Sequence, residues 1–155
     1  MIKILFVCHG NICRSPMAEF MFKDMVKKRN IADDFYIESK AVSQEEIGND
    51  IYPPAKRKLR EKGIEFSSHQ ASQIRREDFS NYDYILVMDS SNLRYLAYLG
   101  MEKYYKNDQV FKLMHFASSN KDVADPWYTG DFEETWKDVN KGCYAMLEKI
   151  LQNLE

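Results

Sequence analysis

Residues 2–16 read IKILFVCHGNICRSP. Ile2 to Val7 is a short apolar, β-branched-rich run, the pattern of a strand buried on both faces. Cys8 to Arg14 then forms a tight loop containing Gly10 and Asn11, the residue types that best tolerate left-handed backbone. Ser15-Pro16 reads as a helix start, with Ser as N-cap and Pro at the first helical position. Met17, Phe20, Met21 and Met25 follow at helical spacing, and the helix fades near Arg29-Asn30. A loop between a buried strand and a helix N-terminus can turn several backbone N–H groups into one concavity. Backed by the helix dipole, that is an anion site. Arg14 adds a planar, permanently charged fork that matches phosphate oxygens. The same field favours the thiolate at Cys8. Nucleophile, cradle and clamp thus come from eight consecutive residues. On its own, a Cys ending an apolar strand is more often a small buried hydrophobe. The preceding strand, the internal Gly-Asn and the Ser-Pro start are independent features, and together they favour chemistry. No GxxxxGK[ST] run occurs, so a Walker-type nucleotide loop is excluded.

Outward from this opening, strands and helices alternate. Phe35 to Val42 is a second strand; Pro53-Pro54 introduces a helix through Ala55 to Lys62, stopped by Gly63. Tyr82 to Met88 is a third strand, and Asp89-Ser90-Ser91 caps a helix that ends near Gly100. Val110 to Phe116 is read as a fourth strand. Phe132, Trp136, Val139, Cys143, Leu147, Ile150 and Leu154 make one apolar stripe on a last helix, which Asp131 and Glu134 open as a capping box. The alternation implies an α/β fold with a parallel sheet and right-handed crossovers. In such sheets ligands bind beyond the carboxyl ends of the strands, where Cys8 lies.

The 155 residues suit one domain spanning 1–155, and a net charge of −2 supplies no electrostatic footprint for nucleic acid or an anionic membrane. The anion must be caught locally. The N-terminal apolar run is too short for a spanning helix and lacks a signal-peptide cleavage pattern. Cys8, Cys13 and Cys143 are an odd number, too few for a disulfide scaffold, and no zinc-ligand spacing occurs. A soluble, cytoplasmic, metal-free protein, monomeric and without a cofactor, is expected.

VCHGNICRSP at residues 7–16 resembles the signature V-C-x-G-N-x-C-R-S-P of the low-molecular-weight protein-tyrosine phosphatases. DYILVMDSSN at 83–92 and DPWY at 125–128 also fit that family in order and spacing. The resemblance implies a three-layer α-β-α sandwich with a four-stranded parallel sheet, the phosphate loop after the first strand, and hydrolysis through a phosphocysteine without a metal. Phosphotyrosine-containing proteins would be its partners.

By the same resemblance Cys8 is the nucleophile and Arg14 the phosphate clamp, with His9, Gly10, Asn11, Ile12 and Cys13 completing the cradle. Asp125 is the acid that protonates the leaving phenolate and then the base for water; read without the family, Asp-Pro is a surface turn. Trp127 and Tyr128 wall the substrate ring, although the family usually has Tyr at the Trp127 position. Ser15 is either only an N-cap or the donor of a hydroxyl to the thiolate, and the family favours the donor. Asn11 holds the loop, supported by Ser43 and His69. Cys13 is loop packing or a redox partner of Cys8, the latter favoured by the family, whereas Cys143 belongs to the core. Two rivals remain: an arsenate reductase on the same fold, which needs further downstream cysteines absent from residues 70–90, and a non-catalytic phosphotyrosine-binding module, for which neither the Cys nor the Asp has a use.

Overall fold

In the computed structural model, which describes residues 1–154, the opening run forms strand β1 (Ile2–Cys8). Side chains alternate across a strand. Ile4, Phe6 and Cys8 therefore enter one core, while Leu5 and Val7 enter another, all nearly or fully buried. A strand apolar on both sides needs helices on both sides, and the chain supplies them. The sheet is parallel throughout, in the order β2-β1-β3-β4, with β2 at Phe35–Ala41, β3 at Tyr84–Val87 and β4 at Val110–Lys112. Helices α1 (Arg14–Lys28), α2 (Pro53–Glu61) and α6 (Phe132–Asn153) cover one face, and α3 (Asp78–Asn81) and α4 (Ser90–Tyr98) the other. The short α5 (Pro126–Thr129) lies between β4 and α6. The expected three-layer sandwich is present, with β1 central and its carboxyl end open to the loop.

Several boundaries differ from the reading of the sequence, each for a local reason. Helix α1 begins at Arg14, so Ser15 is not its N-cap and Pro16 is third rather than first. Pro16 is still harmless there, because the first four N–H groups of a helix have no intrahelical acceptor. The Ser15 hydroxyl is engaged elsewhere, as described below. Strand β3 stops at Val87 because the Asn92 side chain takes the Met88 N–H at 2.9 Å. Asn92 forms a reciprocal capping box with Asp89 at the start of α4.

The run Val110–Phe116 is a strand only as far as Lys112, and Leu113–Ala117 is a 3-10 turn closed by Ser118 in the left-handed region. Leu113 and Met114 both enter the same core, whereas strand alternation would send neighbours to opposite faces of the sheet. They pack on α6, where Gly142 leaves room: a Cβ there would lie 2.6 Å from Leu113 Cγ. At α6, Asp131 accepts from the Glu134 N–H at 2.9 Å, but the expected box is only half formed, because the Asp131 N–H donates to Thr129 Oγ1 at 3.0 Å. Leu154, at the helix end, is exposed and leaves the apolar stripe.

Candidate active site

The loop between β1 and α1 wraps around one sulfur atom. Cys8 Sγ is nearly buried and lies 3.0 Å from Ser15 Oγ, with the N–H groups of Asn11 and Ser15 donating to it at 3.3 and 3.4 Å. Three polar groups thus converge on the sulfur. The N–H groups of Gly10, Ile12, Cys13 and Arg14 take part in none of the backbone hydrogen bonds among the described residues, as an anion cradle requires.

Asn11 is the bracket that holds this shape. It is fully buried with φ 61°, a left-handed backbone that Asn tolerates because its short side chain bonds locally. Its Nδ2 donates to Ser15 Oγ at 2.8 Å and to Ser39 Oγ at 2.9 Å, and its Oδ1 accepts from the Ser72 N–H. His69 Nε2 donates to the Asn11 carbonyl at 2.7 Å. Ser15 Oγ accepts from Asn11, which leaves its own proton available to a thiolate at Cys8 Sγ. Ser39 in turn donates to the buried Glu19 at 2.6 Å, and Glu19 is paired with Lys23. A polar chain thus runs from α1 through β2 to the sulfur.

Two details of the loop differ from the simplest expectation. Ser43 does support the loop, but through the His9 carbonyl, to which its hydroxyl donates at 2.9 Å; Ser39 is the hydroxyl that Asn11 reaches. Gly10 is not left-handed; its value is space, since a Cβ would come within 3.3 Å of Glu46 Cγ.

Arg14 is 2% exposed and held from three directions. Its Nη1 donates to Asp89 Oδ2 at 2.6 Å and to the Val123 carbonyl at 2.8 Å, and its Nη2 to Asp125 Oδ2 at 3.3 Å. Burial opposes its charge, but the Cys8 sulfur, Asp89 and Asp125 outweigh that and hold the guanidinium above its ordinary range. A guanidinium has five N–H donors. Three are used here, which leaves Nε–H and one Nη2–H for a bound oxyanion.

Asp125 caps α5: its Oδ1 accepts from the Trp127 N–H at 3.0 Å, the Asx-Pro geometry expected, while its other oxygen faces Arg14. Cys8, Arg14 and Asp125 line a single pocket with Trp127 and Tyr128 at its mouth. Trp127 is half exposed and its ring packs 4.8 Å from Tyr52, which stacks on Phe132. Cys13 lines the same pocket; burial and the neighbouring Cys8 push its thiol far up. Cys143, fully buried in α6, is likewise pushed up by burial and belongs to the core. Among the described residues no group of three or more His, Cys, Asp or Glu side chains is placed to hold a metal ion. Nor is any described helix long and apolar enough to cross a membrane.

Ser39, Glu19 and Tyr52 were not singled out from the sequence, and Asp89 only as a helix cap. Asp89 had a usable signal: it follows β3, whose carboxyl end lies beside that of β1. Ser39 had a fainter one, as a polar residue on the inward-facing side of a strand, between Ile37 and Ala41 at i±2.

A family model described as low molecular weight phosphotyrosine protein phosphatase matches residues 3–155. The chain is 36% identical over 152 residues to the low molecular weight protein-tyrosine-phosphatase YfkJ of Bacillus subtilis, covering 97% of this chain and 96% of that one. It is 41% identical over 152 residues to the low molecular weight phosphotyrosine protein phosphatase of Sus scrofa, covering 95% and 94%. The crystal structure of YfkJ matches with a TM-score of 0.93 at 35% identity over 100% of this chain and 98% of that one. That of a Drosophila arginine phosphatase matches with a TM-score of 0.86 at 28% identity over 96% and 98%.

Proposed function

The chain belongs to the low molecular weight phosphotyrosine protein phosphatases, and from that premise we propose that it hydrolyses phosphotyrosine in proteins through a phosphocysteine on Cys8. The observation that carries the assignment of roles is the convergence of two N–H groups and the Ser15 hydroxyl on Cys8 Sγ, in one pocket with Arg14 and Asp125.

The first step displaces phenolate at phosphorus by the Cys8 thiolate: the S–P bond forms, the P–O bond breaks, and Asp125 delivers a proton to the departing oxygen. The loop N–H groups and the two remaining Arg14 donors bind the equatorial oxygens, where charge must be held through the transfer. An incoming dianion also competes with Asp125 for Nη2, freeing Asp125 Oδ2 to face the leaving group. In the second step Asp125 takes a proton from water as it attacks phosphorus, and the Ser15 hydroxyl stabilises the sulfur as it leaves.

Cys8 is only 3% exposed, at the floor of a pocket whose mouth carries Trp127 and Tyr128. A long, flat aryl ester fits that depth better than phosphoserine does. The net charge of −2 supports a protein substrate over nucleic acid or an anionic membrane, and a cytoplasmic monomer acting without metal or cofactor completes the proposal.

The test is the dependence of kcat on leaving-group pKa. General acid catalysis contributes about a hundred- to ten-thousand-fold, and an electron-poor phenol leaves almost unaided. Asp125→Asn should therefore cut phosphotyrosine turnover far more than that of an activated aryl phosphate, turning a nearly flat dependence steep. Equal slopes for the two enzymes would make Asp125 a turn residue only. Phosphoserine and phosphoarginine, assayed alongside, should be hydrolysed much more slowly than phosphotyrosine.

A further inference from the structure

The mouth of the pocket has two unlike sides. Trp127 and Tyr128 stand on one, and the loop after β2 brings Glu45 and Glu46 to the other. Three carboxylates line the pocket against one guanidinium, and that guanidinium is buried and committed to Asp89, Val123 and Asp125. The positive charge therefore lies at the floor, and the rim is negative.

Two of the carboxylates are already occupied. Asp125 is shared between Arg14 and the Trp127 N–H. Glu46 accepts from Asn49 Nδ2 at 2.6 Å and lies against Gly10, close enough that a Cβ there would come within 3.3 Å of its Cγ. Glu45, like Glu46, has one side-chain partner among the described residues, His9 Nε2 at 3.0 Å, but its side chain is 69% exposed whereas Glu46 is partly buried. The His9 ring is set edge-on against Tyr95 with centroids 5.6 Å apart, so the imidazole has a fixed seat and holds Glu45 at the rim. A carboxylate has about four lone-pair sites, so one bond from His9 leaves acceptor capacity facing outward.

A phosphotyrosine whose phosphate is in the cradle has its backbone outside the mouth. Its chain neighbours sit about 3.3–3.6 Å per residue along the peptide and must cross this rim. We propose that Glu45 is a specificity-determining residue that selects phosphotyrosines flanked by Lys or Arg and disfavours those flanked by Asp or Glu. The inference rests on the phosphatase reading above. An exposed ion pair in high dielectric is weak, so the preference for a basic over an acidic neighbour should be on the order of fivefold in kcat/KM. It should also shrink as salt screens the rim.

Two phosphotyrosine peptides, alike except for Lys or Glu on both sides of the phosphotyrosine, provide the test. The ratio of their kcat/KM values is measured for the wild type, Glu45→Gln and Glu45→Lys, at low and at high ionic strength. Taking the ratio within each enzyme cancels any general effect of the substitution on the pocket. The wild type should favour the Lys peptide, Glu45→Gln should bring the ratio near one, and Glu45→Lys should invert it, with salt compressing all three. Equal ratios in the three enzymes, with both peptides hydrolysed, would overturn the role of Glu45 and leave the phosphatase reading standing. Failure of the wild type to hydrolyse either peptide or free phosphotyrosine would overturn both.

Discussion

Asp89 does two separable jobs, and replacing it in two ways tells them apart. Its Oδ2 accepts from Arg14 Nη1 at 2.6 Å, and its Oδ1 caps α4 through the Asn92 N–H at 2.7 Å. Asn is as good an N-cap as Asp, so Asp89→Asn keeps the cap and removes the charge. Asp89→Ala removes both. Breaking a fully buried pair by deleting one partner costs about 3–5 kcal/mol. Here the guanidinium is 2% exposed and the carboxylate 16%, and Asp125 and the Val123 carbonyl stay with Arg14. The loss for Asp89→Asn should therefore be smaller, about 2 kcal/mol. Loss of the cap adds about 1 kcal/mol for Asp89→Ala. Both variants stay folded, since a domain has roughly 5–15 kcal/mol in hand.

Urea unfolding is the assay, read as a shift in midpoint at constant slope, together with kcat/KM on an aryl phosphate. The midpoints should fall in the order wild type, Asn, Ala. The activities of Asn and Ala should fall together, by tenfold or more on the order of a lost charge-assisted contact, because catalysis needs the clamp and not the cap. An Asp89→Asn enzyme as stable and as active as wild type would refute the claim that this pair positions Arg14.

Two further outcomes follow from the same geometry. Peroxide should inactivate the enzyme reversibly through a Cys8–Cys13 disulfide: a thiolate oxidises first, and Cys13, pushed up by burial and by the Cys8 charge, deprotonates more readily once Cys8 is a neutral sulfenic acid. Disulfide formation should therefore quicken as pH rises, and mass spectrometry of a time course at several pH values checks it; recovery of Cys13→Ala as complete as wild type after peroxide and dithiothreitol would remove the protective role. Gly142→Ala, which on an open helix surface would stabilise by about 1 kcal/mol, should instead destabilise by about 1–3 kcal/mol because the new methyl meets buried Leu113; thermal or urea unfolding decides the sign.

How far the sequence could be read depended on whether a signal was local. β1, the loop and α1 are contiguous, so periodicity and turn chemistry put Cys8 and Arg14 on one strand–loop–helix turn, where both line the same pocket. The stripe on α6 was equally plain. Leu113–Ala117 was misread because an apolar run looks alike as a strand and as a tight turn; only packing against Gly142 of α6 distinguishes the two. Ser15 was ambiguous because capping and sulfur contact use the same hydroxyl, and the neighbouring Asn11 side chain decides between them. Ser43 was expected beside Asn11, whereas the register that pairs Ser39 with Phe6 puts Ser39 there instead. Asp89 and Glu19 act on Arg14 and Ser39 across 75 and 20 residues of chain, so their partners follow from strand topology and not from any local pattern.

The most direct test of the account is whether the phosphoryl group passes through Cys8. The enzyme is mixed with phosphotyrosine peptide, quenched within a turnover and digested, and the peptide containing Cys8 and Cys13 is sequenced by mass spectrometry, with Cys8→Ser run in parallel. The account predicts a phosphoryl group on Cys8 that forms and decays at rates consistent with kcat, and no turnover by Cys8→Ser although it still binds vanadate. Turnover by Cys8→Ser, or phosphorylation at another residue, would contradict it.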